Sequence, residues 1–489
     1  MIIYTPKITF IMEDILFSEY SYENIYNCSP FTQCKHFNKL MYLLSNISVL
    51  QETYPDIKKV ITKYIHDNPQ EINQKNEEGW TALHIVARNN QSLNIGEFIK
   101  LLLENGAAVD EKNNSGITSL TMSSRYSNTN SKVHSIADEL NLPLRGQGNL
   151  ETIKLLLENR ANINEKNNDG WTALISASCY SNTTSSLETV KLLLEKGANI
   201  DEKNNDGFTA LMLASRYSNK SSNLETVKLL LEKGANINEK NNNSWTALMI
   251  SCRHTNKMSN LETVRLLLKN NANINEKNND GWTALMLSSQ HSNKKSKLET
   301  VKLLLEHGAN INEKEKDGWT ALMMASRYSN TTSNLETVKL LLMHGANIND
   351  KHNYGKTSLT LAIINSNLET VKLLLDYGAD INIIDNYNKQ FMNYLDVESP
   401  LMTEFLNIVF KNQHYKLCMK LILRDIKKNN LLLNPESLRI KIIEIKWKLD
   451  DPDLFDTMVA ENNYLLNYFG ITDKDILRIK ILDSIKYMD

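Results

Sequence analysis

Residues 205–238 read NDGFTALMLASRYSNKSSNLETVKLLLEKGANIN, and near-copies of this stretch fill the middle of the chain. The ring position Phe208 recurs as Trp171, Trp245, Trp282 and Trp319 at a constant interval of 37 residues, and the same register continues after Gly355. Self-similarity at a fixed period of this size marks a protein of stacked repeats, in which each unit contacts mainly its neighbours. The pattern therefore predicts a repeat array rather than a domain with one central core.

One unit can be interpreted from elementary propensities. Residues 205–207 form a turn signal, and Thr209 stands at the N-cap position of a short helix that begins at Ala210. After a polar turn, Asn223 caps a second helix that is apolar on nearly all sides, as expected for a helix packed between neighbours. Gly234 ends that helix in the left-handed conformation, and an extended finger leads into the next turn. Each unit is thus predicted to contain two antiparallel helices and a finger.

This unit resembles the ankyrin repeat in its Gly-X-Thr-X-Leu opening, its Leu-Glu-Thr-Val-Lys-Leu-Leu-Leu helix and its Gly-Ala-Asn-Ile-Asn exit. The resemblance extends from about Glu78 to Asn388 and implies an all-α solenoid with short β-hairpin fingers and a small helical C-terminal region. It also implies a non-enzymatic scaffold that binds other proteins. The repeat openings lie near residues 78, 115, 169, 206, 243, 280, 317 and 354.

The period also predicts the domain boundaries. We expect a non-repeat segment at 1–36, a degenerate N-terminal capping repeat at 37–77, the array at 78–395 with a degenerate last unit from about 387, and a helical region at 396–489. An insertion at 131–148 interrupts the second full repeat, and it is either a place of partner specificity or a disordered loop.

Three departures from the family pattern matter for the structure. Only the first full repeat keeps the family histidine, at His84, so a Thr–His hydrogen bond is available there alone. Most copies add four residues between the two helices, for which we predict a longer polar loop because segments such as 181–185 have poor helix propensity. Arg160 and Asn271 stand where glycine normally adopts the left-handed conformation.

Composition excludes several classes of function. Lys and Arg number 55 against 57 Asp and Glu, so no basic excess indicates a nucleic-acid partner. The sequence contains no apolar run of about 18 residues and no signal-peptide pattern, so we expect an intracellular protein without a membrane partner. No motif for a catalytic site, a metal or a cofactor stands out, and the cluster of Cys28, Cys34 and His36 is weak support for zinc.

The Asn- and Lys-rich composition resembles that of the ankyrin arrays of giant DNA viruses such as mimivirus. This resemblance implies host-cell partners in the host cytoplasm.

Two ladders of side chains are the candidate partner-binding residues. One ladder is the set of rings at the finger bases, and the other is the set of Arg/Tyr pairs at the end of the first helices. The rings either cover the finger bases or form an aromatic stripe that binds a partner. The Arg/Tyr pairs are either solvated helix ends or residues that bind a partner. The candidates are Trp80, Trp171, Phe208, Trp245, Trp282, Trp319, Arg216, Tyr217, Arg253, Arg327 and Tyr328. Rings about 10 Å apart cannot stack directly, so Lys203 and its equivalents, or a partner, must fill the gaps.

Three functions remain open at this stage. The first is a protein-binding scaffold that uses the concave surface of fingers and first helices. The second is an adaptor of a ubiquitin ligase, because poxvirus-style ankyrin proteins end in a helical recruitment module and residues 454–456 bear a faint similarity to it. The third is a recently expanded array with mainly structural use, since the finger tips repeat Glu-Lys-Asn-Asn-Asp at 165, 202 and 276 almost unchanged. The oligomeric state has no signal in the sequence.

Overall fold

The molecule is described by a computed structural model that covers most of the predicted array. The described residues are 38–45, 47, 57–88, 95–127, 150–255, 259–292, 295–329, 331, 333–380, 383–387, 389 and 394. The predictions for 1–36, for Cys28, Cys34 and His36, for the insertion at 131–148 and for the region at 396–489 lie outside the described residues.

The described residues form 18 α-helices and one 3-10 turn at Pro69–Glu71. Two helices come first, α1 (Lys39–Ser45) and α2 (Ile57–Asp67). The first helices of the eight repeats are α3 (Ala82–Arg88), α5 (Ser119–Arg125), α7 (Ala173–Tyr180), α9 (Ala210–Tyr217), α11 (Ala247–His254), α13 (Ala284–Gln290), α15 (Ala321–Tyr328) and α17 (Ser358–Ile364). The second helices are α4 (Ile95–Glu104), α6 (Leu150–Glu158), α8 (Leu187–Glu195), α10 (Leu224–Glu232), α12 (Leu261–Lys269), α14 (Lys295–Glu306), α16 (Leu335–Met343) and α18 (Leu368–Asp376).

The chain falls into two compact units, one up to Ala272 and the other from Asn273 onward. Within the first unit α9 contacts its own second helix α10 and the neighbouring first helices α7 and α11. Within the second unit α15 contacts α13, α16 and α17 in the same way. The prediction of an all-α repeat solenoid is therefore confirmed.

Helix α9 shows why these segments form helices and pack closely. The Thr209 side chain accepts a hydrogen bond from the Met212 backbone N–H and so caps the helix as predicted. Ala210, Leu211 and Ala214 are at most 1% exposed, because first helices surround them on both sides. Burying one leucine side chain fully contributes about 1.5–3 kcal/mol, and repetition of this contact provides most of the stability of the stack.

The fingers differ from the predicted β-hairpins. In the Phe208 finger the Asn204 Oδ1 atom accepts from the Asp206 and Phe208 N–H groups at 3.1 and 2.8 Å, and one backbone bond runs from Asn204 N–H to the Phe208 carbonyl. This side chain uses the N–H groups that a hairpin ladder would need, so the finger is a compact turn. Among the described residues the only β-pairing is a single bridge between Thr255 and Ser259.

Neighbouring fingers bond to one another through a second asparagine. Asn242 donates its backbone N–H to the Asp206 carbonyl at 3.2 Å and its side-chain amide to the Asn205 carbonyl at 2.8 Å. Asn168 makes the corresponding two bonds to Ser115 and Asn114. The fingers of one unit are thus joined edge to edge by amide groups and contain no continuous sheet.

The structure confirms the three departures from the family pattern. Arg160 and Asn271 adopt positive φ angles of 66° and 63°. His84 accepts from the Thr81 hydroxyl at 2.9 Å, and its other ring nitrogen donates to the Ile117 carbonyl at 2.9 Å. The added residues form a turn after α7, whereas α14 is longer than the other second helices.

Candidate functional site

The finger-base rings are held by the turns that precede them. Asn167 Oδ1 accepts from the Trp171 N–H at 2.8 Å, and Asn241 Oδ1 accepts from the Trp245 N–H at 2.9 Å. Glu315 replaces this asparagine in one repeat, and its carboxylate accepts from the Trp319 N–H at 2.9 Å. All six predicted rings are half-buried, so each ring is partly accessible to solvent.

The two predicted ladders contact each other within each unit. The Arg253 guanidinium lies 5.2 Å from the centre of the Trp245 ring, and that of Arg327 lies 5.1 Å from Trp319 and 5.3 Å from Tyr328. These distances are within the range of attractive cation–π contacts. In each unit, we call the surface that contains the finger-base rings and the C-terminal ends of the first helices the finger–helix surface.

The repeat that contains Phe208 differs from this arrangement, because its Arg216 lies beside a tyrosine ring of its own helix end. The Arg216 guanidinium lies 5.2 Å from the Tyr217 ring of its own helix end. Its Nε atom is buried and has no hydrogen-bond partner among the described residues. The predicted residues Arg216 and Tyr217 therefore form a pair of their own at the end of α9.

The ammonium groups of the finger lysines pair with glutamates of the next finger. Lys203 Nζ lies 2.6 Å from a Glu239 carboxylate oxygen and donates to the Lys240 carbonyl at 2.8 Å, so it joins its finger to the next one. The same ion pair recurs in Lys75–Glu111, Lys112–Glu165, Lys166–Glu202 and Lys277–Glu313. In each pair the hydrogen bond from lysine lowers the pKa of the glutamate from its ordinary value. These contacts give the uniform Glu-Lys tips a structural reason.

In the first unit the finger–helix surface contains a groove with a volume of about 320 Å³. Aromatic and guanidinium groups alternate along it, and its six main lining residues are Trp80, Arg88, Tyr126, Arg125, Tyr180 and Trp171. We call it the Arg125 groove. The Arg88 guanidinium lies 5.4 Å from Trp80 and 5.6 Å from Tyr126 of the next repeat. The Arg125 guanidinium lies 5.5 Å from Tyr126 and 4.8 Å from Tyr180 of the next repeat.

Four of these residues were not among the candidates from the sequence. Arg125, Tyr126 and Tyr180 stand at the helix ends that carry the predicted Arg/Tyr pairs, whereas Arg88 belongs to a helix end for which no pair is predicted. The signal for Arg88 was its spacing, because it follows Trp80 by the same eight positions that separate Arg253 from Trp245.

The second unit contains a corresponding groove, which we call the Trp319 groove, with a volume of about 420 Å³. Its lining includes Asp280, Trp282, Asp317, Trp319 and Arg327. Gln290 stands at the end of α13, where five of the other first helices carry arginine. The His352 ring stacks on Trp319 at 4.9 Å. Burial lowers the pKa of His352, and its Nδ1 atom accepts from the Tyr354 N–H at 2.9 Å.

The Cys179 thiol is buried in the last turn of α7. Burial raises the pKa of the Cys179 thiol to about 12, whereas a nucleophilic cysteine requires the thiolate. Within the described ranges no cluster of three or more His, Cys, Asp or Glu side chains could hold a metal ion. No helix of that part is long and apolar enough to span a bilayer.

Comparison with known proteins gives one family. The model for ankyrin repeats in three copies matches residues 55–134, 144–241, 218–315 and 292–385, more than half of the chain. The ankyrin repeat protein L86 of Acanthamoeba polyphaga mimivirus is 34% identical over 155 residues, which is 32% of this chain and 24% of that relative. The ankyrin repeat protein L91 of the same virus is 39% identical over 97 residues, or 19% of this chain and 15% of the relative. The chain thus spans at most about a quarter of the length of these two relatives.

Proposed function

The chain belongs to the ankyrin-repeat family, and from this premise we propose that its finger–helix surface binds partner proteins. Ankyrin repeats are in general non-enzymatic protein-interaction modules. The observation that carries the proposal is the contact between the two ladders, since arginine guanidinium groups lie over half-buried aromatic rings in both units. Arg, Trp and Tyr are the residues that contribute most to binding energy at protein interfaces.

The arginine side chains of the finger–helix surface already lie against rings without a bound partner, and this supports the proposal. A guanidinium that already lies against a ring loses less conformational freedom when a partner binds. The finger lysines, in contrast, are bound to glutamates and carbonyl groups of the next finger. The finger tips are thus occupied in joining repeats, and we therefore place the partner at the ring–arginine pairs.

The mimivirus relatives support partners from the host cell and a place in the host cytoplasm. The near-neutral charge and the paired finger lysines favour protein over nucleic acid as the partner. The adaptor function stays a prediction, because it depends on residues 396–489. The purely structural function also stays a prediction, since the uniform tips make Lys–Glu contacts between fingers.

Affinity capture from host amoeba lysate tests the proposal with a matched pair of variants. Arg253 is exposed on the finger–helix surface, and Arg265 is exposed on the second helix of the same repeat, so Arg253→Glu and Arg265→Glu make the same charge change in two places. We expect quantitative mass spectrometry to show a set of proteins that wild type and Arg265→Glu retain and Arg253→Glu loses. Circular dichroism melting should show that both variants are folded. Equal capture by the two variants, or no enriched protein with wild type, would contradict the proposal.

A further inference from the structure

We propose that the Arg125 groove binds carboxylate side chains, so that the partner presents an acidic peptide segment to the first unit. This inference rests on the proposed function and adds the chemistry of the partner to it.

The geometry of Arg125 is the first observation. Its guanidinium lies between the rings of Tyr126 and Tyr180, at 5.5 and 4.8 Å from their centres. Arg125 makes no ion pair within the described part of the chain, whereas the finger lysines there make many. The planar guanidinium carries N–H donors in a fixed fork that matches a carboxylate in a bidentate way. The groove therefore contains a cation that lies over two rings and has no ion-pair partner within the described residues.

A second guanidinium lies one repeat earlier in the same groove. Arg88 lies between Trp80 and Tyr126, so the Tyr126 ring separates the two guanidinium groups. Asp169 is the carboxylate among the lining residues, which gives the lining two positive charges against one negative charge. This balance favours an anionic ligand.

The Trp319 groove provides an internal comparison. It has the same rings at the finger bases, but Asp280, Glu315 and Asp317 line it together with Lys316 and Arg327. Its formal charge is therefore negative, and it lacks the arginine at position 290. The preference for carboxylates is thus a property of the Arg125 groove and not of every repeat.

The spacing between repeats indicates which segment would fit. Neighbouring packed helices are about 8–10 Å apart, and a polyproline II segment advances about 3.1 Å per residue with three residues per turn. Acidic residues three positions apart in such a segment lie on one face, about 9 Å apart, and would therefore reach Arg88 and Arg125 together. The groove volume of about 320 Å³ leaves room for such side chains.

A peptide selection on the purified full chain tests this inference. Random displayed peptides of about a dozen residues are selected on wild type, Arg125→Gln, Arg125→Lys and Arg265→Gln. Selected sequences are then synthesised as twins, with Glu or Asp in one twin and Gln or Asn in the other, and their Kd values are measured by fluorescence anisotropy.

We expect wild type and Arg265→Gln to select peptides rich in Asp and Glu, and to bind the acidic twin roughly tenfold more tightly than the amide twin. Arg125→Gln should lose this preference, and Arg125→Lys should keep only part of it because an ammonium group lacks the planar fork. Equal affinity of wild type for the two twins, or an unchanged preference in Arg125→Gln that melts like wild type, would overturn the inference.

The lysate capture and the peptide selection together distinguish a failure of this inference from a failure of the proposed function. If lysate proteins still depend on Arg253 while the peptides show no acidic preference, only the carboxylate assignment fails. If the lysate capture fails as well, the finger–helix surface is not a protein-binding surface.

Discussion

At the scale of the residue, two glycines of one repeat have the same backbone conformation and different surroundings. Gly207 precedes the finger-base ring with a φ angle of 82°, and Gly234 ends the second helix with a φ angle of 86°. A Cβ atom at Gly207 would lie 2.6 Å from the backbone nitrogen of Asn242 in the next finger. A Cβ atom at Gly234 would have no neighbour within 4 Å. The first glycine is therefore required by packing between repeats, and the second only by its left-handed φ angle.

We predict that Gly234→Ala lowers the free energy of unfolding by about 1 kcal/mol, the cost of a left-handed conformation for alanine. Gly207→Ala should cost a further ~1–3 kcal/mol, since the added methyl group forces the next finger to move. Urea unfolding followed by circular dichroism measures both. Equal losses in the two variants would show that the fingers separate without cost.

Arg160 allows the opposite substitution, in which a side chain in the left-handed conformation is replaced by glycine. It adopts a φ angle of 66° at the same helix end where other repeats have glycine. We predict that Arg160→Gly raises the free energy of unfolding by about 1 kcal/mol, because the left-handed conformation no longer strains a side chain. Asn271→Gly is the control and should change stability less, since asparagine tolerates this conformation. A destabilised Arg160→Gly variant would contradict the prediction.

At the scale of the element, a buried set of hydroxyl groups orders the lengthened loops. Ser218 follows α9 and donates to the Ser215 carbonyl at 3.2 Å. It accepts from the Thr263 hydroxyl at 2.7 Å and from the Asn260 N–H at 3.1 Å, both at the start of α12 in the next repeat. Ser181 with Thr226 and Ser292 with Thr337 repeat this contact. The additional residues thus connect the first helix of one repeat to the second helix of the next.

We predict that Ser218→Ala lowers the free energy of unfolding by about 1–3 kcal/mol, because the Thr263 hydroxyl and the Asn260 N–H lose a buried partner. The matched control is Ser215→Ala in the last turn of α9. The Ser215 hydroxyl is fully buried and has no hydrogen-bond partner within the described residues, and the equivalent position of the next repeat is Cys252. Ser215→Ala should therefore be neutral or stabilising. Calorimetric melting distinguishes the two variants, and similar destabilisation by both would contradict this assignment of hydrogen bonds.

At the scale of the whole molecule, the finger ion pairs and the buried histidines connect stability to pH. The hydrogen bond from Lys166 lowers the pKa of Glu202 below its ordinary value of 4.5. Burial lowers the pKa of His84 below its ordinary value of 6.5. A group whose pKa is lower in the folded state stabilises the protein above its ordinary pKa, and this contribution is lost as the pH falls below that value.

We therefore predict that the free energy of unfolding falls in two pH windows, first below about 6.5 as His84 must become charged and then below about 4.5 as the finger glutamates are protonated. Glu202→Gln should be less stable than wild type at pH 7, and the difference should disappear as the pH falls through the second window. Glu232→Gln, at the exposed C-terminal end of α10, is the control for removal of a surface carboxylate and should be close to wild type in stability at pH 7. Denaturant titrations at a series of pH values measure this, and a constant difference between Glu202→Gln and wild type would contradict it.

What could be predicted from the sequence depends on how far apart the interacting atoms are along the chain. The Thr209 cap, the Asn223 cap and the left-handed residues Arg160 and Asn271 depend on contacts within about one helical turn. The sequence therefore determined the repeat period, the two helices of each unit and their ends.

Only the tertiary structure decided which side chains meet between repeats. Lys203 reaches Glu239, and Arg125 reaches Tyr180, because stacking places residues close together that are tens of positions apart in sequence. Propensity and spacing cannot tell whether a lysine or an arginine lies beside a ring, since both side chains are long and can take many rotamers. The packing of fingers and first helices selects one arrangement, and it directs lysine to glutamate and arginine to the aromatic rings.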